Sequence, residues 1–138
     1  MFYGGELYGI TRQGKSLLRF EIRVNDDGEP LVTATHQLAV QRREGPGNKS
    51  IFEYDVYLFE LHGKLAMAVM NVWSRTGMLL FRVYKLTDVS TVDSTHRYKW
   101  SEVHSLGAYA LFLGPRCSSK VVHVPADGRG GVEKNHIY

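Results

Sequence analysis

The sequence predicts an all-β protein built as one domain. Its 138 residues are enough for a single domain. Apolar and polar residues alternate in short segments from one end of the chain to the other, and turn residues separate these segments. No segment of useful length has the period of an amphipathic helix. The hydrophobic content of 43% and the charged content of 22% exclude wholesale disorder.

The segment from Leu18 to Val24 carries the clearest strand pattern. Apolar residues alternate there with charged ones, which is typical of a strand with one buried face. A turn follows at residues 25–30, where Asp27-Gly28 tolerates a positive φ and Pro30 fixes a negative one. By the same criteria we predict strands at residues 6–11, 16–24, 31–40, 52–61, 65–73, 78–86, 98–106, 108–113 and 118–124, with the first residues of another at 136–138.

Residues 65–73 form the most apolar segment of the chain. Such near-continuous apolarity is typical of a strand buried on both faces. The segment is about half of the ~20 residues that a membrane-spanning helix needs, and Asn71 interrupts it. A tight turn is predicted just before it, at residues 62–64, with Gly63 at its centre. Longer loops are predicted at residues 42–50, 87–97 and 125–134.

Two short motifs recur along the chain. Residues 5–8 (Gly-Glu-Leu-Tyr) resemble residues 63–66 (Gly-Lys-Leu-Ala), about 58 residues later. Residues 17–20 (Leu-Leu-Arg-Phe) resemble residues 79–82 (Leu-Leu-Phe-Arg), about 62 residues later. A third round starts about 44 residues further on, at Gly107. Repeats of roughly 40–50 residues with four strands each are typical of propeller blades.

The fold class predicted from these rounds is therefore a partial, incomplete β-propeller of about two to three antiparallel blades. The approximate blades are residues 1–44, 51–106 and 107–138, and the last is incomplete. Closed propellers have ~4–8 blades. We therefore expect an open arrangement that exposes strand edges and the flanks of its terminal blades.

The second half of the chain carries family motifs. Residues 100–107, from Trp100 through Ser-Leu-Gly, lead into an Ala-Leu-Phe-Leu-Gly strand at residues 110–114. A Cys117-Ser118 pair follows, and residues 135–138 read Asn-His-Ile-Tyr. These motifs resemble the plant F-box-associated propeller proteins of the KIB type, most specifically from about Met78 to Tyr138. The strand at residues 6–11 is similar to a blade opening of that family.

The resemblance implies a propeller fold and a protein-binding function, without catalysis. In longer relatives it implies substrate recognition in ubiquitination. This chain has Ala108 where the family typically has an acidic residue, and no segment of it resembles an F-box. We therefore expect the C-terminal portion of such a propeller, without ligase membership. The alternative is a truncated or decaying gene product with no independent activity.

Charge and targeting patterns narrow the class of partner. The formal charge is +3, from 17 Lys+Arg and 14 Asp+Glu, and Arg42-Arg43 is the only adjacent basic pair. At Arg97-Tyr98-Lys99-Trp100 a strand places the aromatic rings on one face and the cations on the other, so nucleic-acid binding is not expected. We expect no membrane association, no signal peptide, and a soluble intracellular protein of the cytoplasm or nucleus. The expected partners are unidentified proteins, and self-association through open blade edges is a further expectation.

The sequence predicts no catalytic, cofactor-binding or metal-binding residues. A zinc site needs closely spaced ligands, and the Gly-rich residues 128–131 do not match a phosphate-binding loop. The remaining catalytic alternative is a hydrolase using Cys117 or Ser119, with His123 as the nearby base, although no hydrolase signature surrounds them. The six histidines lie far apart, at His36, His62, His96, His104, His123 and His136.

Overall fold

The computed structural model describes residues 1–11, 16–41, 51–89, 97–115, 118–127 and 130–138. Within these ranges the chain forms eleven β-strands and no α-helix, which confirms the all-β prediction. No helix in the same ranges is long and apolar enough to cross a membrane. The strands are β1 (Phe2–Tyr3), β2 (Glu6–Ile10), β3 (Leu17–Val24), β4 (Pro30–Gln37), β5 (Val40–Gln41), β6 (Ile51–Leu61), β7 (Lys64–Trp73), β8 (Leu79–Asp88), β9 (Tyr98–Val103), β10 (Tyr109–Leu113) and β11 (Ser119–His123).

The strands form three sheets. The first sheet is an antiparallel meander in the order β1-β2-β3-β4. The central sheet has the order β5-β9-β8-β7-β6, in which β6 to β9 form a second antiparallel meander. The third sheet pairs β10 with β11. Two four-stranded meanders in succession are what propeller blades provide, and the division of the chain into blades stays a prediction.

Two-residue turns with positive φ open both meanders. His62 and Gly63 have φ values of 51° and 68° between β6 and β7. Gly4 and Gly5 have φ values of 57° and 81° at the equivalent place between β1 and β2. Positive φ at both central residues is required by the type I′ turn, whose twist matches that of the flanking strands. The repeated sequence motif therefore corresponds to a repeated structural unit.

Strand β7 is covered on both faces, as its composition predicted. Leu65, Met67 and Val69 point to one side, Ala66 and Ala68 point to the other, and none is more than 2% exposed. The first core lies between the first and central sheets and consists of Leu17, Val56, Leu58, Leu65, Met67, Val69 and Tyr84. The second core lies between the central and third sheets and consists of Tyr57, Phe59, Leu61, Ala66, Ala68, Val83, Leu106 and Leu111. The central sheet is therefore the middle of three layers.

The predicted strand at residues 31–40 is wrong as a single element. Strand β4 ends at Gln37, and β5 then joins the central sheet parallel to β9. The backbone between them is held by the Ala39 carbonyl, which accepts hydrogen bonds from the amides of Arg97 (3.0 Å) and Tyr98 (3.2 Å). Leu38 and Val40 pack against the first core, so tertiary packing divides the strand.

Two strand ends also differ from the predictions. Strand β8 continues to Asp88, so the predicted loop at 87–97 begins too early, and β9 ends at Val103 instead of residue 106. The predicted loop at residues 42–50 lies outside the described residues.

The C-terminal segment completes the third sheet in an unpredicted direction. Ile137 bridges Leu111 in parallel. The Leu111 amide donates to the carbonyl of His136 (2.9 Å), and the Tyr138 amide donates to the carbonyl of Leu111 (2.8 Å). The residues predicted to begin a strand do pair, and their parallel direction brings Ile137 against the second core.

Candidate functional site

The two faces of the first sheet have opposite surroundings. Tyr8, Ile10 and Leu17 point toward the central sheet and belong to or pack against the first core. The pairs Phe2–Leu7 and Leu7–Phe20 lie directly opposite one another across β1, β2 and β3, on the other side of the sheet. Because opposed residues in an antiparallel pair share a face, the register defines this second surface.

We call this second surface the open face. Phe2, Ile22, Val24 and Val32 are 66%, 37%, 68% and 57% exposed. None of the side chains of the open face belongs to either core or packs against one. Its apolar members are Phe2, Leu7, Leu18, Phe20, Ile22, Val24, Pro30 and Val32.

The open face carries no ionisable side chain among the described residues. Its remaining positions are Gly9, Thr35 and Gln37. A Cβ at Gly9 would lie 2.9 Å from the Phe20 ring, so Phe20 lies flat on the sheet where there is no side chain. The result is an uncharged surface of aliphatic and aromatic groups.

The charged residues of β3 lie on the opposite side of the sheet. Arg19 pairs with Glu6 at 3.4 Å, and the His36 imidazole donates to the Glu21 carboxylate at 2.8 Å. The alternation from Leu18 to Val24 predicted one buried face. The structure shows that the apolar half of this pattern points away from the central sheet, so no described sheet covers the face that has the composition of a buried surface.

The first sheet has two edge strands, the two-residue β1 and the eight-residue β4. The longer edge, β4, is protected, whereas the open face is not. Strand β4 begins with Pro30, which has no amide hydrogen to donate, and a β-bulge interrupts its pairing with β3 between Glu21 and Ile22. Proline and bulges at edges hinder the addition of another strand. The addition of another strand along β4 is therefore disfavoured.

A small cleft between the first and central sheets is lined by three tyrosines. Tyr3, Tyr8 and Tyr98 surround a volume of about 140 Å³ together with Lys64 and Asp88. The Tyr8 hydroxyl donates to the Glu6 carboxylate at 2.8 Å. Burial, followed by this hydrogen bond, raises the pKa of Tyr8 to about 12. The volume is below the ~300–1,000 Å³ of ordinary ligand pockets, so the cleft is too small for such a ligand.

The hydrolase alternative receives no support from Ser119. Its hydroxyl donates to the Leu58 carbonyl at 2.7 Å and so links the third sheet to the central one. His123 lies at the other end of β11, four residues or about 13 Å away in an extended strand. The His123 ring packs edge-on against Tyr109, with centroids 5.3 Å apart. Cys117 lies outside the described residues.

The described histidines and the basic and aromatic residues 97–100 do not form a common site. His62 packs on Tyr109 with ring centroids 5.0 Å apart. No group of three His, Cys, Asp or Glu side chains within the described ranges could hold a metal ion. His96 and the first two residues of the 128–131 loop lie outside those ranges. Trp100 packs against the first core and Lys99 is exposed, so the predicted two faces of residues 97–100 are present.

The stacked antiparallel meanders, each opened by a left-handed two-residue turn, define the class as a β-propeller-type protein. The model of the KIB1-4 beta-propeller family matches residues 1–138. The chain therefore belongs to the KIB1-4 beta-propeller family, and the predicted propeller class and KIB-type family are confirmed. No curated protein matches the chain, and no solved structure matches it either.

Sequence reasoning located β2, β3 and β4 of the open face but missed β1, and it did not single out the face itself. The signal was present in the alternation of β3 and in Phe2, Val24 and Val32. The pattern identifies the apolar side of a strand, but it does not say which side the rest of the chain will cover.

Proposed function

We propose that this chain is a non-enzymatic protein-interaction domain and that the open face is its binding surface. The observation that carries the proposal is the reversed polarity of the first sheet. Its apolar residues Phe20, Ile22 and Val24 point away from the chain's own core. Contiguous exposed apolar surface on a soluble protein is typical of an interaction site.

The other sheet faces of the molecule support this interpretation. Both faces of β7 carry the same kinds of residue as the open face, and both are covered by a neighbouring sheet. Sheets that pack face to face bury alternating apolar residues in a layer about 10 Å thick. The open face has the chemistry of such a layer and lacks the second sheet.

Adjacent residues of β4 provide a matched test. Val32 lies on the open face and is 57% exposed, whereas Leu31 lies on the other face and is 50% exposed. A photo-crosslinking amino acid at Val32 should form protein adducts, and the same residue at Leu31 should form few. A protein captured at Val32 should then bind the purified chain and lose that binding in Ile22→Lys. Equal yields at the two positions, or no adducts at either, would contradict the proposal.

In longer relatives that carry an F-box, we propose that this domain recognises substrates for a ubiquitin ligase. This proposal rests on the family membership. Because no segment of the printed sequence resembles an F-box, the chain alone should not capture the ligase adaptor. Direct capture of the purified adaptor in a pull-down would contradict that expectation.

The alternative of a decaying gene product makes a different prediction for the purified chain. Such a product should be unfolded or aggregated and should show no cooperative unfolding transition. A folded domain should show a β-rich circular dichroism spectrum and a single urea transition. The two buried cores favour the folded outcome.

A further inference from the structure

We draw no further inference here: the strongest candidate, the cleft of about 410 Å³ between strand β2, strand β6 and the start of strand β11, carries nothing because nothing among the described residues shows what occupies it.

Discussion

The first and central sheets share a design but differ in how they are covered. Each contains a four-stranded antiparallel meander opened by a tight left-handed turn. In the central sheet, β7 is buried on both faces from Leu65 to Val69. In the first sheet, β3 begins at the buried Leu17 and ends at Val24, which is 68% exposed.

The difference shows that strand pattern and strand environment are separate properties. Both sheets present apolar side chains at alternate or successive positions. The central sheet lies between two neighbours, whereas the first sheet has one neighbour and turns its more apolar side away from it. An apolar sheet face therefore predicts that something covers it, and the covering group can come from outside the folded unit.

The largest expected contrast is in core truncations. Met67→Ala in β7, at 0% exposure, should destabilise the protein by about 2–5 kcal/mol through lost burial and a cavity. Leu31→Ala in β4 is the matched control. Because Leu31 is half-exposed and outside the open face, its truncation should change the free energy of unfolding by about 0.5 kcal/mol or less. Urea denaturation measures both, and equal costs would mean that the first sheet is packed as tightly as the central one.

The next contrast concerns the side-chain hydrogen bonds that hold the C-terminal segment beside the third sheet. The Asn135 side-chain oxygen accepts hydrogen bonds from the Leu106 amide (2.7 Å) and the Ser105 hydroxyl (3.3 Å), at a φ of 62°. Asn135→Ala loses the acceptor and strains the backbone, so it should cost about 1–3 kcal/mol.

Two further variants of Asn135 separate the loss of the acceptor from the backbone strain. Asn135→Gly loses only the acceptor and should cost less than Asn135→Ala, because glycine adopts a positive φ freely. Asn135→Asp retains an acceptor and should cost least. If Gly and Ala are equally destabilising in thermal denaturation, backbone strain has no part in the effect.

A smaller change in the free energy of unfolding, this time a stabilising one, is expected inside the central sheet. Asn71 is 3% exposed, its side-chain oxygen has no hydrogen-bond partner within the described ranges, and its amide donates to the Val69 carbonyl at 3.3 Å. Replacing this side chain with Val should raise the free energy of unfolding by about 1 kcal/mol, because an unsatisfied buried acceptor is removed. Asn71→Asp should destabilise instead, since it buries a charge. A stabilising Asp variant would show that water reaches this side of β7.

The smallest effect appears only at alkaline pH, between the first and central sheets. The pKa of Tyr8 is raised to about 12, whereas an unfolded tyrosine titrates near 10. Between these values the unfolded chain releases a proton that the folded chain keeps, so stability falls as the pH rises from about 10 to about 12. The midpoint of urea unfolding should therefore fall between about pH 9 and about pH 11, and Tyr8→Phe should make this fall smaller. An unchanged fall would mean that Tyr8 titrates like an exposed tyrosine.

The elements governed by local chemistry were predictable from the sequence. The His62-Gly63 turn follows from the backbone freedom of glycine, and the strands follow from their period-2 patterns. The double burial of β7 follows from its near-continuous apolarity. Most residues of the open face were also placed in strands correctly, except Phe2, which lies before the first predicted strand, and Pro30, which was predicted in a turn. The exposure of the face was not predicted for any particular strand.

The sequence by itself determined the all-β class, the order of the strands and the repeated meander, because alternation and turn chemistry act between residues close in the chain. It also carried the family motifs. Only the tertiary structure decided that the strand at 31–40 divides after Gln37, that residues 136–138 run parallel to β10, and that Ile22, Val24 and Val32 face outward. Each of these depends on what packs against a strand from a distant part of the chain. A periodic pattern states that a face is apolar, and only the arrangement of the sheets determines whether that face is covered.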